Sequence, residues 1–169
     1  MDKKYELTDE VDNGLHRIRA LIDFSDVRAG DLGGFIESEF NLSYDGDCWV
    51  YADAEVYGYA RVSEDAQVYG NAEVSGAAAV YDDAKVYGDA AVYDNARVFG
   101  DALIYGEARV CGDAIICGNA QVYKNAQVYG NAEVYGDAKV YGDAAVYGDA
   151  EIFGNAKVDY ELFEGKVEG

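Results

Sequence analysis

From Asp53 onward the chain repeats itself every six residues: DAEVYG, YARVSE, DAQVYG, NAEVSG, AAAVYD, DAKVYG, and so on to DAEIFG and NAKV. Every sixth position from Ala54 to Ala156 is alanine, eighteen in succession, and two residues after each alanine stands a valine or isoleucine, from Val56 to Val158. A helix needs an apolar side chain every three to four residues to make a stripe, and a period of six cannot supply one. Each unit instead reads as a short extended piece with its side chains out, in and out, as in Glu133, Val134 and Tyr135. A Gly-Asx pair suited to sharp turning and a small alanine complete the unit. The chain is therefore expected to be all-β, with the aliphatic residues stacked in a column.

The pattern of one aliphatic residue, three variable ones, a small one and a variable one resembles the hexapeptide repeat of left-handed β-helix proteins, over about two thirds of the chain. That resemblance implies a left-handed parallel β-helix, a triangular prism of about six coils with three hexapeptides each. The aliphatic side chain would fill the prism and the small residue would sit at its corner.

Upstream, NLSYDG and DCWVYA continue the frame, with Leu42 and Cys48 at the alanine position and Tyr44 and Val50 at the valine position. The segments YELT and LHRIRALIDF, joined by the Asp12-Asn13-Gly14 turn, read as two short strands, and VRAGDLGG reads as a loop. Residues 1–34 are thus an N-terminal β cap, 35–158 the repeat, and 159–169 a short C-terminal cap in which Tyr160, Leu162 and Phe163 would cover the last coil. The opening, with KYELTDE, LHRIRAL, GDLGGFIES and GDCWVY, resembles hexapeptide-repeat proteins of bacterial prophages.

Eighteen residues per coil sort the residues after each aliphatic into three ladders. Only one is all tyrosine: Tyr51, Tyr69, Tyr87, Tyr105, Tyr123 and Tyr141. Two positions before them stand Trp49, Gln67, Lys85, Leu103, Gln121 and Lys139, so no acid interrupts this face. A flat aromatic wall with hydroxyl handles is a candidate for binding a partner or a second copy of the chain, and stacking to stiffen an untwisted sheet would explain it equally. Carboxylates gather at the corners, and one edge carries Asp65, Asp83, Asp101 and Asp137 with Asn119 and Asn155. Turn chemistry, in which Asx side chains bond to nearby backbone, accounts for such corners without a ligand.

The formal net charge is −20, from 13 basic and 33 acidic residues, which repels nucleic acid and anionic membrane and attracts basic protein surfaces. Direct nucleic-acid or membrane binding is therefore not expected. Three cysteines (Cys48, Cys111 and Cys117), without metal-finger spacing, suggest a reducing compartment and neither disulfide nor zinc. No apolar run approaches a membrane span and the N-terminus lacks a secretory signal, so a cytoplasmic location is expected.

Many hexapeptide-repeat proteins are acyltransferases with a histidine base, or carbonic anhydrases with three histidine zinc ligands. The only histidine here is His16, in the cap, which excludes the zinc triad and disfavours acyl transfer. No catalytic residues, metal or cofactor are expected. The leading expectation is a non-catalytic acidic binding protein of phage or prophage type. Its target would be a basic host protein, with corner carboxylates presented where a nucleic-acid-handling or defence protein expects phosphates. A self-assembling module joined through the tyrosine face and a hexapeptide-repeat acyltransferase are the alternatives.

Overall fold

The structure, a computed structural model, describes residues 3–162 and 164–169. It is a left-handed parallel β-helix whose three sheets form the sides of a prism, with no helix among the described residues. The first face has seven strands, beginning with Trp49–Val50 and ending with Lys157–Val158. The third also has seven, from Arg61–Val62 to Lys166–Glu168, and the second has nine because the N-terminal hairpin adds to its edge.

The period of six works as the sequence implies. In each unit the residues on either side of the aliphatic, and the corner residue, donate their backbone N–H to the next coil, seventeen residues on. Arg109, Cys111 and Asp113 illustrate the pattern, donating to the carbonyls of Ala126, Val128 and Gly130 at 2.9, 2.9 and 2.8 Å. The inward Val and Ile from Val56 to Val158 are at most 1 % exposed and the corner alanines at most 3 %. At the turn the chain goes left-handed, and Gly112 (φ +69°) shows why glycine dominates there: a Cβ would sit 2.8 Å from the nitrogen of Gly130 in the next coil. Where an acid replaces that glycine its carboxylate compensates. Asp82 and Asp94 (φ 57° and 60°) accept the N–H of Gly100 and Gly112 at 3.0 and 3.1 Å.

The first coil differs from expectation. Leu42 occupies the inward strand position, bridging to Val62 twenty residues on, just as Ile36 pairs with Val56. Val50 then pairs with Val68 at the regular eighteen. Two extra residues therefore lie between Leu42 and Val50, so Tyr44 does not hold the valine position and instead stacks on Tyr5, with centroids 4.8 Å apart. Cys48 keeps the alanine place and is fully buried.

The segment expected to be a loop contains a strand. Strands β1 (Tyr5–Asp12) and β2 (Leu15–Ala20) form the anticipated hairpin, and β3 (Leu32–Ile36) pairs antiparallel with β2 on one side and parallel with Glu55–Val56 on the other. Its glycines serve close approach, since a Cβ on Gly33 would lie 2.6 Å from both Ile18 Cγ1 and the carbonyl oxygen of Val50. The hairpin and the loop after it fold over the N-terminal end, burying Tyr5, Ile18 and Val27. Carbonyls of the first coils that no earlier coil can reach receive side-chain donors. Lys4 Nζ reaches Gly46 and Cys48 at 3.0 and 2.9 Å, Tyr5 Oη reaches Leu42 at 2.7 Å, and Asn41 Nδ2 reaches Gly58 and Ala60 at 3.1 and 2.9 Å.

At the other end the tail forms a shortened coil, and Leu162, one of the residues expected to cover the last coil, packs against the core together with Val167. Leu162 bridges to Val146 and Val167 pairs with Ile152, sixteen and fifteen residues back. Tyr160, also expected there, is 48 % exposed, and Phe163 lies outside the described residues. No helix among the described residues is long and apolar enough to cross a membrane.

Candidate binding surface

The first face carries the tyrosine ladder. Parallel strands lie about 4.8 Å apart in strict register, so identical side chains fall directly above one another at ring-stacking distance. Tyr69, Tyr87, Tyr105, Tyr123 and Tyr141 accordingly stack with centroids 4.7 to 5.4 Å apart and interplanar angles of 1° to 13°. The rings turn their π-faces to each other and their edges and hydroxyls outward. Desolvation pushes Tyr69, Tyr87 and Tyr105 above the usual phenol range, which keeps them neutral donors and acceptors.

The ladder is interrupted where its residue type is not. Tyr51 meets Tyr69 edge-on, at 6.3 Å and 88°, because its hydroxyl turns to donate to Asp26 Oδ1 of the cap loop at 2.8 Å. Burial first, and that hydrogen bond second, raise the Tyr51 phenol well above its ordinary range. Trp49, expected on the open face, is 1 % exposed because Phe24 and Tyr5 pack edge-on against it. The accessible wall thus begins at Gln67 and Tyr69, with Lys85, Leu103, Gln121 and Lys139 beside the rings and no acid among these strand positions.

Asp65, Asp83, Asp101 and Asp137 are exposed along one corner, as expected. What they bond to differs from simple turn chemistry. Asp65 Oδ1 accepts the N–H of Asp47 in the preceding coil at 2.8 Å, and Asp137 Oδ1 accepts from Asn119 Nδ2 at 2.8 Å. The other corners repeat this device: Asn71, Asn95, Asn125 and Asn131 donate to Asp89, Asp113, Asp143 and Asp149, each one coil on, at 2.9 to 3.0 Å. An asparagine between aspartates supplies a donor where a carboxylate would repel, as in the run Asn95, Asp113, Asn131 and Asp149, whereas Asp65, Asp83 and Asp101 follow one another without one.

Near the cap the same corner lacks that relief, and hydrogen bonding to Asp82 holds the Glu64 carboxyl above the usual carboxylate range. Its contribution to stability is therefore present at acid pH and lost as the pH rises through its raised value. Asn119→Asp is expected to reproduce this conflict in the regular coils. The variant should be destabilised by about 1 kcal/mol at neutral pH, and the deficit should vanish below about pH 4, where carboxylates take up protons. Urea unfolding at the two pH values measures it.

The remaining reactive side chains stand apart. His16, on β2, has its Nδ1 3.1 Å from the Thr8 carbonyl oxygen across the hairpin. Cys111 and Cys117 are free thiols on the second and third faces, and burial raises the Cys117 thiol. Among the described residues no group of three or more His, Cys, Asp or Glu is placed to hold a metal.

Two comparisons with known proteins bear on this architecture. A family profile described as the YdcK beta solenoid repeat matches residues 66–82, 90–106 and 126–142. Each window opens on a corner alanine and covers about one coil, and the windows start at positions separated by multiples of six residues. The chain is also similar to the uncharacterized acetyltransferase YdcK of Escherichia coli (strain K12), with 44 % identity over 50 residues. That similarity covers 29 % of this chain and 15 % of the relative's length. With its three stacked parallel sheets, the chain is a β-solenoid repeat protein.

Proposed function

We propose that this chain is a non-catalytic binding protein whose acidic rod occupies a basic protein surface. The observation that carries the reading is the density of fixed charge on a rigid body. Residues 35–158 hold 21 acidic and 7 basic side chains, a net of −14. Seven coils at about 4.8 Å span about 34 Å, which gives about one net charge per 2.4 Å of axis, against about one per 1.7 Å for duplex DNA. Of the corner carboxylates Asp65, Asp83, Asp101 and Asp137, Asp65 and Asp137 are held by coil-to-coil hydrogen bonds, as are Asp89, Asp113, Asp143 and Asp149 on the other corners, so ordering these at an interface costs little entropy.

The specific form of the proposal is competition with nucleic acid for a nucleic-acid-handling protein of the host cell. Affinity purification from a lysate of the source organism is expected to recover basic, nucleic-acid-binding proteins. Their affinity should fall about tenfold or more between about 50 and about 200 mM salt, and added duplex DNA should displace them. Recovery without salt sensitivity, or without competition by DNA, overturns the mimicry.

The similarity to a protein named as an acetyltransferase favours a second reading, acyl transfer. It requires acyl-coenzyme A binding, and acyl transfer that His16→Ala abolishes. Calorimetry with acetyl-coenzyme A that gives no heat of binding discards it.

A further inference from the structure

A notch opens at the one interruption of the tyrosine stack, lined by Asp26, Tyr51, Ala52, Gln67, Tyr69 and Gly70. Four features give it a defined chemistry. Tyr69 is covered by a parallel ring only on the side of Tyr87 (4.7 Å, 2°), while Tyr51 meets its other side edge-on at 6.3 Å and 88°. The side of Tyr69 away from Tyr87 is therefore not closed by a parallel ring, and Tyr69 lines the notch there. Asp26 adds a carboxylate of which Oδ1 accepts from Tyr51 at 2.8 Å, leaving Oδ2 for a ligand. Tyr51, kept protonated by burial and by that bond, fixes the carboxylate in place. Finally, no lysine or arginine belongs to the lining, and Lys85 stands one coil beyond Gln67.

A negative group beside an aromatic face selects a cation, and a planar one best. A guanidinium lies flat on a ring while its N–H fork meets a carboxylate, whereas an ammonium does only one of these well. We infer that the notch receives an arginine side chain of a protein partner. The basic character of that partner rests on the function proposed above, while the arginine site rests on the notch itself. The comparable gap on the second face, where Ser75 replaces a ladder tyrosine, is lined by Glu73 and Asp89 but also by Arg109, and so carries its own cation.

The test titrates the full chain with N-acetyl-arginine amide and, separately, N-acetyl-lysine amide, following aromatic proton shifts and heats. Saturable arginine binding is expected, about fivefold or more tighter than lysine. Tyr69→Ala and Asp26→Asn should each weaken it about tenfold or more, and Tyr59→Ala, at a remote exposed corner, should leave it unchanged. Asp26→Asn retains an acceptor for Tyr51, and circular dichroism of each variant checks that the solenoid persists. Absence of saturation, equal lysine binding, or unchanged affinity in both notch variants overturns the site. Arginine binding without any salt-sensitive basic partner would leave the notch standing and remove the rod's proposed function. A salt-sensitive partner indifferent to Asp26→Asn and to Tyr69→Ala would do the reverse.

Discussion

Val110→Asp is expected to abolish the folded solenoid. Val110 is fully buried between Val92 and Val128, with which it pairs in register, and every neighbour in the lumen is aliphatic or an alanine. A carboxylate there finds no donor, because the strand N–H groups point along the axis into the coil-to-coil ladder. Stranding a charge in such an environment costs about 5 kcal/mol or more, comparable to the whole stability of an ordinary domain. Because each coil touches only its neighbours, loss at the centre also separates the two halves. Circular dichroism and proteolysis should report an unfolded or nicked chain, while Gln127→Asp, one coil on but outward and exposed, should stay within about 1 kcal/mol of the parent. A cooperative transition retained by Val110→Asp would refute the filled lumen.

Asn41→Ala should produce the second largest loss, about 3 kcal/mol, from a residue in the irregular first coil. Asn41 is fully buried, its Nδ2 donates to the carbonyls of Gly58 and Ala60, and its Oδ1 accepts the N–H of Ser38 at 2.9 Å. The preceding coil supplies backbone N–H groups to Ala54, Val56 and Val62 but none to these two carbonyls, so alanine leaves them unpaired. Asn41→Asp separates the two roles: it keeps the acceptor for Ser38 and loses both donations, and it should be no more stable than Asn41→Ala. Denaturant midpoints for the two variants decide the matter, and a change below about 0.5 kcal/mol in Asn41→Ala would mean that the edge carbonyls are otherwise satisfied.

The repeat from Asp53 to Val158 was legible because each position has one environment, fixed by a period the eye can count. The failures lie where that period changes. Two residues inserted between Leu42 and Val50 leave an apolar residue in either frame, so Leu42 and Tyr44 could be exchanged without violating the pattern. Gly33 and Gly34 carry the ordinary signature of a loop, and only the nearness of Ile18, Val50 and Ala54 shows them to be places where no side chain fits. Trp49 has the alternation of an outward residue, and the cap that covers it arrives from twenty or more residues away. The tyrosine ladder could be written down from spacing alone, yet its break at Tyr51 depends on Asp26, which nothing nearby in the chain links to it. Likewise the Asn to Asp bonds at the corners join residues eighteen apart, and they are visible only once the coil length is known.

The coil-to-coil hydrogen bonds repeat with the coil: the residues flanking each aliphatic and the corner residue send their N–H groups toward the C-terminal end, while others, such as those of Val62 and Leu162, reach back to the carbonyls of Asn41 and Ala145. Every interior turn therefore repeats the same pattern of donors and acceptors on each of its two sides, and removing or duplicating one block of eighteen residues would rejoin matching surfaces. Such a molecule is a ruler: its reach from the notch to the far tip is adjustable in steps of about 4.8 Å, without redesign of either extremity.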